Sequence, residues 1–84
     1  MKVQVLYFGE LRETVGIASE PLELNGSLTV TALIECLTAR GEPWQSALTC
    51  ADPLRVAVNQ EMANMQTPLN DNAEVALFRP VTGG

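Results

Sequence analysis

The sequence predicts an α+β domain in which one main helix covers one face of a small sheet. Three observations carry that reading. Segments 2–8 and 74–79 alternate in side-chain facing as strands do. Between them, Val30, Leu33, Ile34 and Leu37 recur at i, i+3, i+4 and i+7, which makes one apolar helical stripe. The chain has 84 residues, enough for one two-layer domain, and its 46% hydrophobic and 18% charged content excludes a disordered chain.

The elements follow in order. In 2–8, Val3, Val5 and Tyr7 face one side; Lys2, Gln4, Leu6 and Phe8 face the other. Gly9 breaks the pattern. Leu11 and Val15, followed by Gly16, predict a short helix over 10–15 that ends at a glycine cap. Ile17 to Leu24 is a second extended segment with Leu22 and Leu24 on one face, and Asn25-Gly26 signals a turn. The main helix covers 29–40, with Thr29 as N-cap, Arg40 in the last turn and Gly41 at the C′ position. Trp44 to Thr49 reads as a further turn of helix. After Asp52-Pro53, Leu54, Val56 and Val58 alternate inward, and Gln60 to Asn64 is a short return strand. Asn70-Asp71-Asn72 reads as a turn, because Asn and Asp tolerate left-handed geometry. In Glu74 to Arg79, Val75 and Leu77 share one face while Ala76 and Phe78 share the other; Pro80 ends the strand.

Strand, strand, long helix, then two or three strands is the order of a β-grasp (ubiquitin-like) roll. The expectation is a mixed sheet of four to five strands, one main helix packed on one face, and short extra helices. Residues 1–79 form this domain, and 80–84 form a flexible C-terminal Gly-Gly tail.

Charge and composition narrow the function. The basic residues Lys2, Arg12, Arg40, Arg55 and Arg79 are scattered and outnumbered, giving a net charge of −5. Nucleic acid and anionic membrane surfaces both need clustered positive charge, so neither is an expected partner. An acidic surface suits a more basic protein partner. The apolar runs are too short to span a bilayer, and the first residues lack a signal-peptide cleavage site. Cys36 and Cys50 form no CxxC and read as reduced thiols, which points to the cytoplasm.

Catalysis by this chain alone is not expected. It contains no histidine, so no Ser-His or Cys-His pair is available. It has no Gly-rich phosphate loop and no metal-ligand spacing, and no bound metal or cofactor is expected. Glu10, Glu13 and Glu35 read as solvated faces. Cys36 reads as a small, partly buried hydrophobe on the flank of the helix stripe. Cys50 falls in a loop, with Arg55 as the only nearby group to lower its pKa.

Two features remain. The first is Gly83-Gly84. Residues after Arg79 can span up to ~17 Å when extended. A segment without side chains at its tip can thread a narrow channel and deliver its terminal carboxylate to a site on another protein. A carboxylate is a poor acyl donor, but a mixed anhydride with AMP is reactive, and attack by a sulfur donor then gives a thiocarboxylate. Two terminal glycines also describe a frayed end; their place, a short spacer after the last strand, favours the threading account. The second feature is apolar: Leu6, Phe8 and Phe78 face away from the helix side, and Met62 joins them if 60–64 is a strand. In a β-grasp the first and last strands are neighbours, so Phe8 and Phe78 fall together. This is a docking face near the base of the tail, or else a minor second core under a loop.

With these residues the chain resembles the molybdopterin synthase small-subunit family of ubiquitin-like sulfur carriers. The matching features run the whole length. They are Leu6-Tyr7-Phe8, Leu11-Arg12-Glu13 with Val15-Gly16, Thr29-Val30…Ala32-Leu33, Val58-Asn59-Gln60, Pro68-Leu69-Asn70-Asp71, and Glu74-Val75-Ala76-Leu77-Phe78…Pro80-Val81-Thr82-Gly83-Gly84. The resemblance implies that an activating enzyme adenylates Gly84 with ATP and that a sulfurtransferase system converts it to a thiocarboxylate. It implies that Val81, Thr82 and Gly83 thread into a large subunit, in a heterotetramer of two small and two large chains. There the sulfur passes to cyclic pyranopterin monophosphate, in molybdenum cofactor biosynthesis. Phe8, Met62 and Phe78 match the family's apolar contact positions. Two departures stand out: Asp71-Asn72-Ala73 replaces the usual Asp-Gly-Asp turn, and Arg79-Pro80 replaces Pro-Pro. Arg79 is then a further partner-binding candidate, facing an acidic group. A carrier feeding thiazole synthesis or tRNA thiolation, a protein tag, and a plain β-grasp interaction domain are the alternatives.

Overall fold

In the computed structural model, the described residues are 1–26, 28–49 and 54–79. The chain runs β1 (Lys2–Tyr7), α1 (Gly9–Val15), β2 (Ser19–Glu23), β3 (Leu28–Thr29), α2 (Val30–Thr38), α3 (Trp44–Thr49), β4 (Arg55–Val58), β5 (Glu61–Ala63), β6 (Pro68–Leu69) and β7 (Ala73–Phe78). The main sheet has the order β2-β1-β7-β4-β5. β1 and β7 are parallel, Val5 beside Val75, and the other pairs are antiparallel. This is the expected ubiquitin-like β-grasp, a mixed five-stranded sheet with a helical layer. β3 and β6 add a two-stranded sheet, too short to leave a periodic signal in the sequence.

One core joins the layers. Val3, Val5, Tyr7, Val56, Val75 and Leu77 from the sheet meet Leu11 and Val15 of α1, Val30, Leu33 and Leu37 of α2, and Ala47 and Leu48 of α3. The alternation read from the sequence selects the correct face of both central strands. Gly16 caps α1 at φ 85, and its N–H donates to the Arg12 carbonyl. Thr29 caps α2 by accepting from the Ala32 N–H.

Three details differ from expectation. α2 ends at Thr38, so Arg40 lies past its last turn. There Glu20 and the Trp44 ring hold the guanidinium, instead of the helix carbonyls. Cys36 is exposed rather than partly buried, because α2 buries only the edge carrying Val30, Leu33 and Leu37. Asn59 and Gln60 both have positive φ (51 and 69) between β4 and β5, where Val58 pairs with Glu61. That is a two-residue primed hairpin turn, which shortens the expected return strand to Glu61–Ala63.

Candidate functional site

The sheet has a second face that the helices do not cover. Cross-strand partners share a face, so the register runs one row through Leu6, Ala76, Ala57 and Met62. The next row runs through Phe8, Phe78 and Arg55, since Phe78 pairs with Arg55 and the Phe8 N–H donates to the Leu77 carbonyl at 3.2 Å. Phe8 is 50% exposed and Met62 64%. Leu6, Ala57, Ala76 and Phe78 are half-buried. Beyond them the face turns polar at Gln4 and Glu74. The structure thus brings Phe8, Met62 and Phe78 onto one surface. Among the described residues no loop gives them a core of their own. Beside Met62 lies a depression of about 330 Å³, lined by Val58, Asn59, Glu61, Ala63, Thr67, Pro68 and Asn70. Among the described residues no group of His, Cys, Asp or Glu could hold a metal ion, and no helix is long and apolar enough to cross a membrane.

The face is positioned by β7, the central strand. The Asn72 N–H donates to the Lys2 carbonyl and Asp71 accepts from the Lys2 N–H at 2.8 Å, which starts β7 in register with β1. At the other end, β7 leads from Phe78 to Arg79. Val81, Thr82, Gly83 and Gly84 lie outside the described residues, as do Pro80 and Cys50.

Arg79 is not on the face with Phe78. Its side chain is 9% exposed and turned to the helical layer, where its guanidinium donates to the Ala47 carbonyl and stands 3.9 Å from the Glu10 carboxylate. Strand parity carries this signal: positions 75, 77 and 79 share one side.

Sequence reasoning missed a polar cluster on the core's edge. The Tyr7 hydroxyl donates to Glu20 at 2.7 Å and accepts from the Trp44 indole N–H at 3.1 Å. Arg40 binds both Glu20 oxygens, at 2.9 and 2.8 Å, and its guanidinium stands 4.8 Å from the centre of the Trp44 ring. Four residues from four segments give no local spacing that would reveal it.

The ThiS family profile matches residues 5–84. The molybdopterin synthase sulfur carrier subunit of Escherichia coli K12 is 39% identical over 82 residues, 98% of this chain and 99% of that protein. The crystal structure of SAMP1 from Haloferax volcanii superposes with a TM-score of 0.80 at 25% identity, covering 100% of both chains. A chain in the complex of subunits 1 and 2 of molybdopterin-converting factor from Helicobacter pylori 26695 superposes at 0.66 with 27% identity, again over 100% of both. The chain belongs to the ThiS family, and within it stands with the sulfur carrier subunits of molybdopterin synthase.

Proposed function

We propose that this protein is the consumable, rechargeable half of molybdopterin synthase and does no catalysis alone. The observation that carries the reading is the uncovered face bearing Phe8, Met62 and Phe78, at the end of the sheet where β7 leads into residues 80–84. That face suits a large subunit, in a heterotetramer of two small and two large chains; the Helicobacter pylori neighbour is a complex of subunits 1 and 2 of molybdopterin-converting factor, which supports such a pairing. Arg79 follows Phe78 but turns to the helical side, away from this face.

The chemistry belongs to Gly84. An activating enzyme joins its carboxylate to AMP from ATP, releasing pyrophosphate. Sulfur delivered at the sulfide level by a sulfurtransferase system attacks the acyl carbon, displaces AMP and leaves a thiocarboxylate. Val81, Thr82 and Gly83 then carry that group into the large subunit, where its sulfur bonds to cyclic pyranopterin monophosphate and water cleaves the glycyl C–S bond, returning the Gly84 carboxylate. The chain itself supplies no cofactor. The cytoplasm, where ATP and reduced thiols coexist, is the compartment that suits these steps.

Co-expression with the activating enzyme and intact-mass measurement test the reading. The mass gain of one oxygen-to-sulfur exchange is expected, and it vanishes when Gly84 is deleted. Phe78→Asp is expected to weaken the complex with the large subunit by about 30-fold or more. Absence of the mass gain with a cognate activating enzyme refutes the carrier role. Charging without binding to the large subunit points to a carrier for another pathway.

A further inference from the structure

Arg79 differs from the other arginines in its burial and in where it stands. It directly follows β7 and directs its side chain between α1 and α3, on the side that strand parity assigns to it. Its acceptor, the Ala47 carbonyl, lies in the last turn of α3, where helix carbonyls have no intrahelical donor. Ion pairing does not account for the arrangement. Glu10 is 72% exposed and 3.9 Å away, a geometry that contributes little. The guanidinium cannot shed its charge on burial, and its Nε is buried with no hydrogen-bond partner among the described residues. A residue that is costly to bury is therefore held in place by β7, α1 and α3 together.

We propose that Arg79 is a positioning residue: its guanidinium pins the root of the 80–84 segment to the helical layer and fixes the direction in which that segment leaves the sheet. The inference rests on the carrier reading above. The next residue in sequence is Pro80, whose ring restricts φ and biases Arg79 toward extended backbone. A direction set at Arg79 is thus passed outward. Without the anchor, Arg79 and the residues after it sample a wider cone, and threading must order one further residue.

Backbone ¹⁵N relaxation on the full native chain, Arg79→Met and Arg79→Lys tests this. Met keeps the apolar stem and removes the donors; Lys keeps the charge but cannot fork. The order parameter at Arg79 is expected near ~0.8 in the native chain and below about 0.6 in Arg79→Met, with Arg79→Lys between. In sulfur transfer by the charged chain to the large subunit, KM for Arg79→Met is expected to rise about fivefold with kcat little changed, the factor for ordering one more residue. An equal order parameter at Arg79 in the native chain and at Met in a variant that keeps the native amide spectrum overturns the anchor. If Arg79→Met does not fold, equal values in native and Arg79→Lys chains overturn it. A native chain that is never charged refutes the carrier reading instead, and the relaxation comparison still decides the anchor.

Discussion

Glu20 is the residue on which the edge of the core depends. Burial alone would raise its pKa, but hydrogen bonds from Arg40 and Tyr7, together with the Arg40 charge, outweigh burial and hold it below the usual carboxylate value. Its folded pKa lies under its unfolded one, so its contribution is present above the unfolded glutamate value of about 4.3 and is lost as pH falls through the folded value. Tyr7 behaves oppositely. Burial and the hydrogen bond to Glu20 raise its pKa far above the tyrosine norm, against smaller opposing effects of Trp44 and Arg40. Its contribution holds below about pH 10, the unfolded tyrosine value, and fades as pH rises toward the folded one. Glu20→Gln is expected to cost about 1–2 kcal/mol at pH 7, the scale of losing a charged hydrogen-bond partner. Urea unfolding at pH 7 and pH 3.5 checks it: the variant should lose less stability on acidification than the native chain. An equal loss would assign the acid sensitivity to other carboxylates. None of this was legible beforehand, because the four residues meet only after β1, β2 and the α2–α3 connection are packed. Arg79 was half legible: strand parity gives its side, but a charged residue after the last apolar position reads as solvated.

At the scale of elements, most of the fold was readable from periodicity. β1 and β7 needed only the alternation of Val3, Val5, Tyr7 and of Val75, Leu77; α2 needed only its stripe and Thr29. What escaped were pieces without a period. β3 and β6 are two residues each, and the turn after β4 was hidden by Gln60, since a primed turn is signalled by Asn-Gly rather than Asn-Gln. The first turn residue has a clear role: the Asn59 N–H donates to the Glu74 carbonyl at 2.8 Å and its side chain accepts from the Glu74 N–H at 3.0 Å, tying the hairpin to β7. Gln60 at φ 69 carries the left-handed penalty of a residue with a Cβ, roughly 1–2 kcal/mol, partly offset in a glycine by lost chain entropy of about 0.5–1 kcal/mol. Gln60→Gly is therefore expected to stabilise the chain by about 0.5–1 kcal/mol. A thermal melt that shifts upward supports the turn assignment, and a downward shift contradicts it.

For the whole molecule, the consequence of the β-grasp is an asymmetric sheet. One face is filled by three helices, and the other carries Leu6, Phe8, Ala57, Met62, Ala76 and Phe78 without a cover among the described residues. On the proposed reading, stability and partner binding fall on opposite sides of the same strands, and substitution can separate them. Met62→Asp alters a side chain that is 64% exposed, so its effect on unfolding should stay within about 0.5 kcal/mol. The same change places a charge where an apolar contact would be desolvated, and should weaken binding to a large subunit by about 2 kcal/mol or more. Leu77→Asp, on the filled side of β7, should unfold the chain outright, because its carboxylate would enter a core with no polar partner. Denaturant titration of both variants beside affinity measurements on Met62→Asp distinguishes the two faces. A net charge of −5 adds a kinetic expectation: association with a basic partner should slow as salt rises, while the loss caused by Met62→Asp should persist at high salt, since it stems from desolvation rather than long-range steering. A Met62→Asp defect that disappears at high salt would show that the apolar face is only a bystander to charge.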